Sequence, residues 1–194
     1  MHQPALARPI LVSLICRSNY TAIKANGVHL QTRNFGDFQF HPEHVFPSIS
    51  AAGGHQWDYV VVTTKALPDV SDDSAAIVPL VWPSTAIVLI QNGVGVEEPY
   101  RSRFPRNPVL SAVTVISAEQ VKPGFVVQNR WTRISIGPYT DGVGSEEGTA
   151  RAREFVGLLK QGGIKDAEVY DERALQQVRW HKIAVGKNIT NRNM

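Results

Sequence analysis

The chain has 194 residues, of which 43% are hydrophobic, 19% charged and 8% aromatic. That length gives one full domain, or a domain and part of a second, and excludes a large two-domain enzyme; the composition excludes a disordered chain. Against 17 Asp and Glu stand 20 Lys and Arg, a net charge of +3 spread without a basic stripe, so no nucleic-acid partner is expected and an anionic small molecule is equally compatible.

The single cysteine, Cys16, excludes an intramolecular disulfide and favours a reducing, cytoplasmic setting. No uninterrupted apolar stretch approaches the ~20 residues that cross a bilayer, so no membrane partner is expected. Residues 10–15 are β-branched or leucine with one serine, which predicts a first strand buried on both faces of a parallel sheet. They resemble a short signal-peptide core only until Arg17, after which no small-residue cleavage site follows. Residues 19–26 have helical spacing and close on Asn26-Gly27, and Val28–Thr32 alternates like an edge strand.

After Gly53-Gly54, residues 59–63 give the strongest buried-strand signal. A break at Pro68 precedes a helix predicted over residues 69–80, with Ser71 as N-cap and Asp72 and Asp73 in its positive first turn. Residues 82–84 stop it, and residues 85–90 form a second all-apolar strand, so 59–90 reads as a right-handed βαβ unit. A strand follows at 109–116, then antiparallel strands at 125–128 and 130–136 near the sheet edge. Residues 141–148 read as a loop leading to a helix with Ala152, Phe155, Val156 and Leu159 on one face, ended by Gly162-Gly163. The last helix begins at Asp171 or Glu172 and runs to about residue 184. The fold class is α/β, a Rossmann-like and mainly parallel sheet with flanking helices.

In open parallel sheets, ligands bind beyond the carboxyl ends of the strands. Three such ends carry polar residues. Arg17, with Ser18, follows the first strand; a guanidinium after the second strand of a dinucleotide fold pairs with the 2′-phosphate of NADP, where Asp or Glu would indicate NAD. Thr63-Thr64-Lys65 sets an ammonium beside an anion or ribose. Gln91-Asn92-Gly93-Val94-Gly95 supplies a carboxamide and glycines that admit a close ligand. A solvated arginine, an ordinary lysine and a simple Asn-Gly turn account for each motif alone. Together they are more specific, because the βαβ arithmetic places Lys65 and Gln91-Asn92-Gly93 on one edge. The six histidines lack zinc-ligand spacing, so no metal site is expected. The Asp72-Asp73 and Glu97-Glu98 pairs read as helix starts, and Trp82 and Trp131 as packing.

The motifs Cys16-Arg17-Ser18, residues 61–66, Gln91-Asn92-Gly93-Val94-Gly95, Lys122-Pro123-Gly124, Ile136-Gly137-Pro138 and Arg179-Trp180-His181-Lys182-Ile183 together resemble the ketopantoate reductase (2-dehydropantoate 2-reductase) family over residues 10–184. The resemblance implies a Rossmann domain, a helical domain, and NADP(H)-dependent reduction of a small-molecule 2-oxo acid, 2-dehydropantoate, to pantoate. It implies that Arg17 and Ser18 receive the 2′-phosphate, that Lys65, Gln91, Asn92 and Gly93 contact the cofactor, with Asn92 beside nicotinamide and substrate, and that Lys182 is the general acid. The guanidinium of Arg17, the ammonium of Lys65 and the amide of Asn92 are then expected to face a common groove.

The sequence also departs from the family. It has no Gly-x-Gly-x-x-Gly loop, the element that brings backbone N–H groups to a pyrophosphate, and residues 1–9 are too few for a strand, loop and helix. Gly186 and Thr190 stand where the family has asparagines one and two turns beyond the lysine, and residues 185–194 are expected to be an aberrant tail. The expected organisation is an incomplete NADP-binding domain over residues 1–168, lacking its first strand and glycine loop, and the start of a truncated helical domain over 169–194. Two rival readings stay open: a non-catalytic nucleotide-binding or interaction remnant, and a related reductase acting on another 2-oxo acid.

Overall fold

The computed structural model describes residues 9–67, 69–141 and 145–190, with side chains as far as residue 185. Pro68, part of the predicted 141–148 loop, the side chains at 186 and 190 and the end of the expected tail lie outside the described residues. The chain divides into two compact units, one formed by Met1–Ala52 with Ala118–Arg130 and the other by Gly53–Ser117 with Trp131–Met194.

In the first unit, β1 (Leu14–Ile15) pairs in parallel with β4 (Val45–Phe46). The six-residue buried strand expected at 10–15 is corrected to these two residues. Leu14 and Cys16 donate to His44 O and Phe46 O at 2.9 Å each and Val12 O accepts from Glu43 N at 2.8 Å, all toward the one neighbour, and Ile10 and Leu11 are 50% and 67% exposed. An apolar run without ladder partners on both sides cannot be a central strand. Helix α1 (Tyr20–Asn26) follows. It stops at Gly27, whose φ of 68° suits glycine and whose missing Cβ would meet Phe40 O at 2.5 Å.

Strand β2 (Val28–Thr32) is an interior strand rather than the expected edge. It pairs antiparallel with β3 (Gly36–Phe40) and parallel with the first residues of β8 (Phe125–Pro138), from His29↔Phe125 to Thr32↔Gln128. The short β3, four of whose five residues are exposed, carries no buried alternation by which to recognise it.

The second unit is built on the expected βαβ arrangement. Strand β5 (Tyr59–Val62) pairs in parallel with β6 (Ala86–Leu89) from Tyr59↔Ala86 to Val62↔Leu89, and β6 pairs in parallel with β7 (Val109–Lys122). Between β5 and β6 the predicted twelve-residue helix is corrected to a single turn, α2 (Asp73–Ala76), and a 3₁₀ turn at Val78–Leu80. Pro79 lacks an N–H and its ring obstructs the carbonyl four residues back, so the α-helix cannot continue through it. The N-cap is Asp72, whose carboxylate accepts from Ala75 N at 3.0 Å, and not Ser71.

Helix α3 (Glu98–Arg103) leads to β7, and the two-residue connection 123–124 folds β7 back into β8 as a hairpin. The two strands expected at 125–128 and 130–136 are one. The strand runs through Asn129, the gap between the two expected strands, and Trp131 within it stands at φ 56°. The tip of this hairpin belongs to the first unit and its base to the second. At the base β8 is not an edge, because β9 (Ala167–Val169) pairs with it in parallel.

Helix α4 (Glu146–Gln161) begins at the N-cap Ser145, and α5 (Glu172–Thr190) extends six residues past the predicted end near 184. The core gathers Val88, Leu110, Ala112, Ile134, Ile136, Ala152, Val156 and Ala167. Each large aliphatic side chain withdrawn from water here contributes about 1.5–3 kcal/mol. Strand β6 is buried at all four residues, the pattern of a central parallel strand. Among the described residues no helix is long and apolar enough to cross a membrane.

Candidate functional site

The carboxyl ends of β5 and β6 lie side by side because Val62 and Leu89 are register partners, and one buried carboxamide joins the segments that leave these two strands. Gln91 is only 3% exposed. Its Nε2 donates to Thr64 Oγ1 at 3.1 Å and to Asp73 Oδ2 at 3.0 Å, and its Oε1 accepts from the Tyr100 hydroxyl at 3.3 Å. Burial, reinforced by the charge of Asp73, pushes the Tyr100 phenol up, so it remains a donor. The Gln91 side chain is thus spent inside the fold, where it ties the β5 end, α2 and α3 to the β6 end.

The next residue turns outward. Asn92 is exposed, and its Oδ1 accepts from the Lys182 ammonium at 2.8 Å. Gly93 follows at φ 131°. An added Cβ there would stand 2.7 Å from Val96 Cγ1, so both conformation and space require glycine. Lys182 comes from α5, which is started by Asp171 accepting from Ala174 N at 2.8 Å and Glu172 accepting from the Thr140 hydroxyl at 2.5 Å.

One turn before Lys182 on the same helix, Arg179 is 2% exposed. Its Nη1 donates to the carbonyl oxygens of Gln91 at 2.9 Å and Gly93 at 3.0 Å, the two residues flanking Asn92. Its Nη2 donates to Ser111 Oγ and pairs at 3.1 Å with Glu97 Oε1, a carboxylate 1% exposed. Glu97 Oε1 also accepts from Ser111 Oγ at 2.5 Å and Gln176 Nε2 at 3.3 Å. Burial lowers the Arg179 pKa while Glu97 raises it. The Lys182 ammonium is likewise lowered, first by burial and then by the Arg179 charge.

The second unit therefore brings Asn92 and Lys182 together and sets Gln91 and Gly93 against Arg179. Lys65 is exposed beyond the end of β5. Arg17 and Ser18 follow β1 in the first unit, both exposed. Sequence reasoning missed the Arg179–Glu97 pair. Half of the signal was present: Arg179 precedes Lys182 by three residues and so shares its helix face, but nothing in the local sequence marks Glu97 as its partner. Glu97 does stand at the N-cap of α3, but its carboxylate is buried against Arg179 and not at work on the helix start.

An exposed ammonium and an exposed carboxamide thus stand at adjacent parallel strand ends, where open parallel sheets receive ligands, beside a glycine whose missing side chain leaves the loop close to whatever binds. The described residues offer no glycine-rich turn for a pyrophosphate. Among them, no three His, Cys, Asp or Glu gather as a metal site requires.

The family model "Ketopantoate reductase PanE/ApbA" matches residues 5–141. The chain belongs to that family. Among solved members, the 2-dehydropantoate 2-reductase of Methylococcus capsulatus is 28% identical with a TM-score of 0.75, over 88% of this chain and 52% of its own. The enzyme of Geobacter metallireducens is also 28% identical, with a TM-score of 0.74 over 88% and 53%. An uncharacterized protein of Saccharomyces cerevisiae is 28% identical over 89% of this chain and 53% of its own length. This ketopantoate reductase family chain thus spans about half the length of these three relatives, and its α/β fold is that of the Rossmann-like part of the two solved enzymes.

Proposed function

We propose that this chain is the cofactor-binding part of an NADPH-dependent reductase that converts 2-dehydropantoate to pantoate. The observation that carries the reading is the 2.8 Å hydrogen bond from Lys182 to Asn92, which joins an ammonium of lowered pKa to a carboxamide at a strand end. When bound, the dihydronicotinamide supplies a hydride to the substrate carbonyl carbon. Lys182 Nζ hydrogen-bonds the carbonyl oxygen and gives it a proton as negative charge develops there. A lysine with lowered pKa is a stronger acid than an ordinary one, which suits that transfer.

Asn92 orients the ammonium before substrate arrives and then offers its amide to nicotinamide or substrate. Lys65 meets the nucleotide with its charge, while Gln91 and Gly93 shape the loop that presents Asn92. Arg17 and Ser18 receive the 2′-phosphate, the group that separates NADP from NAD. In this reading residues 1–168 are NADP-binding and residues 169–194 open a helical domain, and the protein works in a reducing, cytoplasmic setting.

Titration of the chain's fluorescence with NADPH and with NADH, followed by NADPH oxidation in the presence of 2-dehydropantoate, tests the reading. NADPH-preferring binding with substrate-dependent oxidation supports it. Binding without oxidation leaves a nucleotide-binding domain, oxidation only with a different 2-oxo acid moves the substrate, and absence of binding refutes the proposal.

A further inference from the structure

We propose that the buried Arg179–Glu97 pair is a positioning device that holds the Asn92 carboxamide toward the Lys182 ammonium and thereby keeps the Asn92-Gly93 dipeptide from self-modification. The inference deepens the reductase reading and rests on it in taking Asn92 and Lys182 as the working pair.

The geometry is specific. Both Arg179 Nη1 hydrogen bonds go to carbonyls bracketing one residue, Gln91 O at 2.9 Å and Gly93 O at 3.0 Å. Both bonds leave one nitrogen, while Nη2 is held by Ser111 and Glu97, so the rigid guanidinium plane is fixed at one prong and pins, with the other, the carbonyls on either side of Asn92. Glu97, held by Ser111 and Gln176, fixes the guanidinium in turn. Lys182, one turn further along α5, closes the arrangement by donating to Asn92 Oδ1 at 2.8 Å. Arg179, on the same helix, is the charge that acts on that ammonium, Glu97 at the start of α3 pairs with Arg179, and the loop after β6 presents Asn92 to it. The lowered Lys182 pKa, with Arg179 among its causes, agrees with this closeness.

An unrestrained Asn-Gly dipeptide deamidates. The glycine amide nitrogen attacks the asparagine Cγ, ammonia leaves, and water opens the resulting succinimide to Asp or isoAsp. At Asn92 the attack requires the Gly93 nitrogen to swing toward Cγ. That motion strains the carbonyls on either side, which Arg179 holds, and it is this backbone restraint that slows the attack. The chain has a second Asn-Gly dipeptide, Asn26-Gly27, at the end of α1 and away from Arg179's hydrogen bonds. It is an internal control.

The test is peptide-level mass spectrometry of deamidation at both sites during mildly alkaline incubation. It uses the wild-type chain, Arg179→Lys, which keeps the charge without the two-pronged fork, and the double variant Glu97→Gln/Arg179→Met, which leaves no unpaired buried charge; thermal melts accompany each. In both variants the Asn92 rate is expected to rise about tenfold, the factor for a lost restraint of about 1.4 kcal/mol, while the Asn26 rate stays as in wild type. Competitive acylation across pH should place the Lys182 midpoint higher in the double variant and restore it in Arg179→Lys. An unchanged Asn92 rate, or rates at Asn26 and Asn92 that rise in parallel, overturns the proposal. So does a wild-type Asn92 rate equal in buffer and in guanidinium chloride, which needs no folded variant. No readout involves NADPH, so failure of the reductase reading leaves these rates able to decide, and failure here leaves that reading standing.

Discussion

The ammonium of Lys182 stands one helical turn beyond the guanidinium of Arg179, so two cations share a face of α5, and the charge of Arg179 helps to lower the lysine pKa. Like charges at this spacing oppose each other in a helix. Here Glu97 answers the first and the Asn92 carbonyl the second. The lysine is the one left partly accessible, and among the described residues it receives a dipole and no ion pair, which leaves its proton the easier of the two to give away.

Replacing Lys182 with Ala is therefore expected to lower kcat for 2-dehydropantoate by roughly 10²–10⁴-fold, the usual loss for a general acid, with the Kd for NADPH little changed. The wild-type rate should decline with rising pH as the ammonium discharges, beginning below the ordinary lysine value of 10.5. Steady-state kinetics across pH with parallel fluorescence titration measures both.

Arg17→Ala is expected to raise the Kd for NADPH by at least about tenfold, from the loss of a charge-assisted hydrogen bond worth roughly 1.5–3 kcal/mol, and to leave NADH binding nearly unchanged. Equal losses for the two nucleotides would remove Arg17 from the 2′-phosphate.

Asp72 gives a pH-dependent stability test. Hydrogen bonds from Ser74 and the Ala75 amide hold its carboxyl below the ordinary 3.8, with Arg103 adding to the effect. A carboxylate whose folded pKa is depressed contributes stability above its unfolded pKa and loses it as pH falls through the folded value. Asp72→Asn keeps a competent N-cap but no charge. Its melting temperature should fall below wild type at pH 7, and the gap should close as pH drops below 3.8.

Asn107→Leu should destabilise the second unit. Asn107 is 9% exposed and donates to Trp82 O at 2.8 Å and Thr85 O at 2.9 Å, holding the turn that launches β6. Leucine leaves both carbonyls without that donor. The cost is about 1–3 kcal/mol, which at ~2–4 °C per kcal/mol for a chain of this size is readable by differential scanning calorimetry.

The parts of the fold legible in the sequence were those where one chemical property decided the structure. Residues 86–89 have no polar side chain and are central, and Ala152, Phe155, Val156 and Leu159 at helical spacing lie on α4. Residues 10–15 looked identical to residues 85–90, yet only Leu14 and Ile15 form a strand, because an apolar composition does not report whether ladder partners stand on both sides. Asn129 interrupted the apolar pattern and split β8 in two, although backbone pairing continues through polar residues. At the site, Asn92 and Lys182 were legible as motif residues. Glu97 was not, because an acid at a helix start has the same local sequence whether it meets water or a buried guanidinium 82 positions away. That pairing depends on α5 returning to the end of β6, which local patterning does not encode.

The hairpin of β7 and β8 gives its tip to the first unit and its base to the second, so the first unit is written in two separate passages of the gene. A protease nick after residue 52 would not free it as one polypeptide. A recombinant fragment ending there would lack the parallel partner that β8 gives His29–Thr32, and its bare main-chain edge would invite self-association. Any domain dissection must therefore carry the hairpin or graft it.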